Sequence, residues 1–223
     1  MGREAHSTRA SAGHTSDVRS RFAFGGLVLG AALAAACSSA SSSGGGGAAT
    51  ACTPLSGPYG TNVGDVVDPS LTWQGYVDDS GQATTVHLSD YYDCDGSRGV
   101  RALVVDESAL WCPTCQSQAQ TLEMLAPGTW KSEGAVLLVL MAQDAQENPA
   151  TLDTALTWRN EFALTTAAVV ADPAWTTKLW GGATGEGNGF PTDIVIDPRT
   201  FRIVAFQPSD LQGTVDNLAT ANR

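Results

Sequence analysis

Two cysteines separated by two residues, in Trp111-Cys112-Pro113-Thr114-Cys115, stand between an apolar run and an amphipathic one, and this junction constrains the fold more than any other stretch. Val100 to Val105 reads as a strand. Ala119, Leu122 and Leu125 recur at three-residue steps, which predicts a helix over 113–125 stopped by Pro127-Gly128. Cys112 then sits at a helix N-terminus, where unsatisfied backbone N–H groups and the helix dipole favour a thiolate. Pro113, lacking an N–H, suits the first helical turn. Two thiols so placed form a redox couple in which one attacks and the other resolves. The competing readings are half a zinc site and a purely structural disulfide. Zinc needs two more ligands, yet His87 is the only histidine after residue 36 and there is no second Cys-x-x-Cys. No metal and no other cofactor is expected.

The N-terminal segment reads as an address. Arg19 and Arg21 precede fifteen uncharged residues, Phe22 to Ala36, the charged-then-apolar layout of a secretory signal and short for a membrane span. Leu33-Ala34-Ala35-Ala36-Cys37 resembles the lipobox of bacterial lipoproteins, in which the signal is cut before a cysteine that becomes lipidated. It departs from the usual pattern in that Ala34, not leucine, stands three places before Cys37. The alternative is an ordinary signal-peptidase site that leaves Cys37 as a free thiol. Ser38 to Thr50 holds only Ser, Ala, Gly and Thr and cannot bury enough apolar surface to order itself. The organisation expected is therefore a signal peptide over 1–36, a lipidated cysteine and flexible tether over 37–60 with a reach of about 25 Å, and one folded domain over 61–223.

Beyond residue 36 the chain carries 8 Lys or Arg against 21 Asp or Glu, a formal charge of about −13, which opposes binding to nucleic acid and to anionic lipid. Of five cysteines, Cys52 and Cys94 remain once Cys37, Cys112 and Cys115 are set aside. In an oxidising compartment they are expected to pair and pin the tether to the domain; the rival is that one of them exchanges with the active pair.

The order of elements is legible from periodicity and turn residues. Val66-Val67, Leu71 to Tyr76 and Thr84 to Leu88 read as short strands, with a turn at 78–81 and a helical turn at 89–92. Strand Arg101 to Asp106, helix Pro113 to Leu125, strand Ala135 to Ala142, helix Ala150 to Ala163, strand Ala168 to Val170 and helix Ala174 to Trp180 follow. Asn148-Pro149 and Asp172-Pro173 are expected to cap the last two helices. After the Gly-rich stretch 181–189 come strand Thr192 to Ile196, a turn at 197–200, strand Phe201 to Phe206 and a helix from about Ser209. This order predicts an α/β fold, a mixed sheet with helices on both faces and a β-rich N-terminal extension.

From about Gly64 onward the chain resembles thioredoxin-fold proteins of the TlpA/ResA type, membrane-tethered extracytoplasmic thiol–disulfide oxidoreductases. The Trp111 to Cys115 motif carries the resemblance, with Gly189-Phe190-Pro191-Thr192-Asp193-Ile194-Val195-Ile196-Asp197 and with Asp106, six residues before Cys112. It implies that Cys112 attacks, Cys115 resolves, Pro191 is a cis-proline facing the pair, and Asp106 is a buried proton acceptor, with Glu107 as competitor. Trp111, Phe190 and Thr192 would meet the partner. The implied protein is a monomer in the bacterial cell envelope, lipid-anchored and facing the periplasm, that trades electrons with protein thiols and disulfides and with an upstream redox partner. Pro191 in trans at a strand start is the plainer alternative.

Three other functions use parts of this pattern. A peroxiredoxin needs Pro-x-x-x-Thr-x-x-Cys, and Val105 and Ala109 stand in those places. A Cu(I) chaperone needs soft ligands and a well-placed histidine, leaving only His87 to help. A binding lipoprotein would keep the fold and use the cysteines as a brace. The Gly-rich stretch lacks a Gly-Lys-Ser/Thr ending and precedes a strand, unlike a phosphate loop.

Overall fold

Eight consecutive residues, Ala102–Ala109, are buried on both sides of the chain, which demands a strand in the middle of a sheet covered on both faces. The computed structural model describes residues 52–77, 81–184 and 187–223; the signal segment, Cys37, the tether up to residue 51 and the centre of the 78–81 turn lie outside them. The strands are β1 (Thr72–Tyr76), β2 (Thr84–His87), β3 (Ala102–Ala109), β4 (Ala135–Gln143), β5 (Ala168–Ala171), β6 (Thr192–Asp197) and β7 (Arg202–Phe206), and the helices are α1 (Pro113–Leu125), α2 (Lys131–Glu133), α3 (Leu152–Glu161) and α4 (Leu211–Ala221). The strands form one sheet in the order β2-β1-β5-β4-β3-β6-β7. β3, β4 and β5 run parallel and every other pairing is antiparallel. The β-rich extension thus joins the sheet itself beyond β5.

Alternation along β3 sorts the core into two layers. Ala102 and Val104 face Trp158 of α3, Leu122 of α1 and Val215 of α4. Leu103 and Val105 face the other way, toward Val67, Leu88, Trp180 and Phe201. The two parallel crossovers advance in the same direction across the sheet, so their right-handedness puts α1 and α3 on the same face. The α-helices thus gather on that face, and the helices of the other face are the short 3-10 ones at Leu88–Tyr91 and Trp180–Gly182. The second face is closed by the chain ahead of β1, by a 3-10 turn at Leu88–Tyr91 and by the turns before Trp180.

The reason is local. The segment expected to be a helix over 174–180 is a series of turns ending in a short 3-10 turn, Trp180–Gly182, and Trp175 holds a left-handed φ of 50°. Two of its amide groups go to acids, Thr176 N to Asp172 Oδ2 at 2.6 Å and Thr177 N to Glu107 Oε2 at 3.4 Å, while Trp175, Lys178 and Trp180 N make only three-residue turn bonds to the carbonyls of Asp172, Trp175 and Thr177. Asn148-Pro149 does not cap α3. Ala150 N donates to Ala142 O, which continues the β4 pairing, and Thr151 is the cap through a reciprocal pair with Thr154. Pro127-Gly128 kinks the chain after α1 without ending it. The helical path resumes through α2 and stops at Gly134, whose φ of 81° only glycine adopts freely. Val66 makes a single bridge to Arg202 instead of a strand, and Phe201, at φ 57°, belongs to the turn before β7.

Cys52 and Cys94 are joined by a disulfide across 42 residues. Beside it, Asp93 is buried and its carboxylate pairs with Arg199 at 3.2 Å while accepting Val100 N, which ties the loop before β3 to the β6–β7 turn.

Candidate active site

β3 runs out at Ala109, and Cys112 N donates to Ala109 O to turn the chain into α1. Cys112 is the N-cap residue of that helix and Pro113 occupies its first position. The Cys112 sulfur accepts Cys115 N at 3.1 Å, the role a serine or threonine oxygen ordinarily plays at a cap. The same N–H would steady negative charge on that sulfur once the bond between the cysteines opens. The two sulfurs are bonded, with Cα atoms 5.3 Å apart. Cys112 is 4% exposed and Cys115 fully covered, so an approaching partner meets Cys112 first.

An aromatic rim borders the pair. Trp111, 40% exposed, donates from Nε1 to Gln143 Oε1 at 2.9 Å and stands edge-on to Phe190 with centroids 6.1 Å apart. Phe190 stacks in turn on Trp175 at 4.3 Å, with Lys178 Nζ 4.8 Å from the Trp175 ring centroid. The Phe190–Pro191 peptide is cis. Because Thr192 pairs with Glu107 in the β3–β6 ladder, Pro191 lies beside the end of β3, where the chain enters the cysteine motif. Thr192, expected at the partner surface, is fully buried. Its hydroxyl donates to Gly189 O at 2.7 Å, and Gln207 Nε2 reaches both Pro191 O and Thr192 Oγ1. Its register turns it away from the cysteines and makes it a brace of the proline loop.

The two competing acids separate by strand alternation. Asp106 lies on the sheet face that carries Cys112 and Cys115, whereas Glu107 points to the opposite face toward Thr177. Asp106 is buried; its Oδ2 accepts Ser108 Oγ at 2.7 Å and its Oδ1 accepts Gln118 Nε2 at 2.7 Å. Burial pushes its carboxyl well above the ordinary carboxylate range, and the charge of Asp193 adds to the push. Burial raises Asp193 in the same way. Glu107 is raised by burial and then by Asp172.

Asp193, Gln118 and Trp175 carry no assigned role in the sequence reading. The available signals are an acid inside the apolar run 192–196 and an amide one helical turn after Cys115. His87 sits on β2, separated from β3 by three strands, so no histidine among the described residues lies beside the pair.

No protein-family model matches the chain, and none of the curated proteins compared with it matches. Solved structures do. AhpC of Enterococcus faecalis superposes with a TM-score of 0.52 at 12% identity, over 72% of this chain and 92% of its own. An uncharacterized conserved protein from Geobacillus kaustophilus gives 0.51 at 15% identity, over 75% and 89%. A secreted thiol-disulfide isomerase from Corynebacterium glutamicum gives 0.49 at 18% identity, over 70% and 83%. At such identities the likeness is one of architecture. With a cysteine-pair helix crossing between two parallel strands and a cis-proline loop leading into the antiparallel strand beside them, this chain has the thioredoxin fold.

Proposed function

We propose that this protein is a thiol–disulfide oxidoreductase acting on protein disulfides through Cys112 and Cys115. The observation that carries the reading is a closed Cys-x-x-Cys disulfide at a helix N-terminus whose outer sulfur is the less buried and lies next to an exposed aromatic rim. In the reduced form the Cys112 thiolate attacks one sulfur of a partner disulfide, and the partner's other sulfur leaves as a thiolate. Cys115, once deprotonated, attacks Cys112 Sγ. The bond from Cys112 to the partner breaks, the second partner sulfur leaves reduced, and the pair closes with loss of two electrons to the partner. Asp106, on the same sheet face, accepts the Cys115 proton. The reverse direction uses the same atoms.

The secretory layout of 1–36 and the Cys37 motif support an envelope location facing the periplasm, with a lipid on Cys37 as the membrane attachment. The Cys52–Cys94 disulfide then fixes the end of the tether to the domain.

Titration of the full chain in glutathione buffers, followed by tryptophan fluorescence, should show a reversible two-electron transition above about −300 mV, together with reduction of a disulfide-bonded protein. A potential below that value with no exchange marks a structural brace instead, and turnover of hydrogen peroxide without protein disulfide exchange marks a peroxidase. Trp111→Ala removes the exposed ring without touching the sulfurs. The expected result is a KM for a disulfide-containing peptide raised about fivefold, with kcat within about twofold, as suits the loss of one aromatic contact.

A further inference from the structure

Asp106 and Asp193 are direct partners in the β3–β6 register and lie on the same sheet face, so two carboxyls meet in the core under α1. One side-chain nitrogen joins them: Gln118 Nε2 donates to Asp106 Oδ1 at 2.7 Å and to Asp193 Oδ1 at 2.8 Å. The two oxygens therefore lie no farther apart than those bonds laid end to end, about 5.5 Å. Both N–H groups of that amide are used, one on each acid.

The two acids differ in their access to water. Asp106 is 1% exposed. Asp193 is 8% exposed and lies in the wall of a groove of about 380 Å³ between α1 and the segment leading into α4. Thr114, Ser117, Thr121, Ser209 and Gln212 supply polar but uncharged groups along the same groove, and among the described residues Asp193 is its only charged lining residue. The neighbouring elements bring few other titratable groups: Cys112 at the N-cap of α1, Cys115 and Glu123 within α1, Asp216 on α4 beside Glu133, and Asp210, which is occupied capping α4. β4 presents Val139 and Met141 to this face and β7 presents Ala205.

We infer that Asp193, held to Asp106 by Gln118, relays to solvent through this groove the proton that Cys115 releases when it resolves a mixed disulfide. The inference rests on the exchange reading above. Two buried carboxyls this close share one proton, since ionising both in a low-dielectric interior is unfavourable. Burial favours the shared proton on Asp106, and its passage to Asp193, the carboxyl nearer water, leaves Asp106 free to accept. The Cys115 S–H proton passes to Asp106, the Cys115 thiolate attacks Cys112 Sγ, and the partner sulfur leaves as a thiolate. Asp193 discharges its proton to water in the groove, so the pair ends with one proton and one negative charge, as it began. Asp193 is thus a positioning residue that keeps Asp106 ready to accept.

Rapid mixing of the reduced full chain with a disulfide peptide separates attack by Cys112 from resolution by Cys115. Asp193→Asn should slow resolution about tenfold near neutral pH, leave attack within twofold, and turn the two-step titration of the carboxyl pair, read by infrared carbonyl absorption, into one step. Gln118→Leu should slow the same step in the same direction. Adding Asp193→Asn to Asp106→Asn should slow resolution no further than Asp106→Asn alone. A normal resolution rate and pH profile in the Asp193 variant, with wild-type exchange intact, overturns the relay alone. Equal slowing of attack and resolution also overturns it, because that marks general damage. Absence of exchange in the wild type overturns the reading on which the relay depends.

Discussion

Cys112→Ser is expected to abolish disulfide exchange, by more than about 10³-fold, while leaving the fold in place. The two halves of that statement have separate causes. The chemistry fails because a serine hydroxyl neither ionises near neutral pH nor forms a mixed disulfide. The fold persists because Cys112 serves α1 as a cap that accepts Cys115 N, and serine is among the best residues for that position. Unchanged circular dichroism and thermal midpoint alongside lost turnover would attribute the defect to the sulfur. The complementary variant, Cys115→Ser, keeps the attacking thiol and lacks the resolving one, so it should accumulate a covalent adduct with the partner that dithiothreitol releases. Undiminished turnover by Cys112→Ser would eliminate the mechanism.

Asp106→Asn should stabilise the protein at pH 7 by about 2–4 kcal/mol, roughly 5–15 °C in Tm. The folded state holds the Asp106 proton to a higher pH than the unfolded chain does, because burial and Asp193 oppose its ionisation. Above the unfolded value near 4 the native state therefore binds more protons than the unfolded one. Stability then falls as pH rises, until the native carboxyl also ionises, and is flat beyond that point. Asparagine has no charge to keep out of the core, so the gain over wild type should vanish below pH 4 and grow toward neutrality. Parallel pH–stability curves for the two proteins would show that Asp106 titrates alike in both states. A residue that weakens its own fold at working pH fits a group retained for proton transfer.

The parts of this architecture that could be read from residue order are those governed by neighbours in the chain. α1 spans the predicted residues because its proline, its three-residue apolar steps and its N-cap all lie within its own length. β3, β4 and β6 were visible as apolar runs. The helix expected at 174–180 failed because two of its central amides, Thr176 and Thr177 N, are claimed by the side chains of Asp172 and Glu107, the latter 70 residues away. The same limit applies at the site. Cys112, Cys115 and Pro191 are marked by motifs, but the meeting of Asp106 with Asp193 exists only once β3 and β6 pair. Nothing local separates the roles of Asp106 and Glu107 until strand alternation sends them to opposite faces.

The disulfide between Cys52 and Cys94 has a directional consequence. Cys94 lies next to the β6–β7 turn, at the end where β3 begins, while the reactive sulfurs follow the end where β3 finishes, about 25 Å away along eight residues of strand. Any pull transmitted through residues ahead of Cys52 is therefore taken up at the pole opposite Trp111. A domain moored from that side offers its cysteine pair outward, clear of whatever holds it.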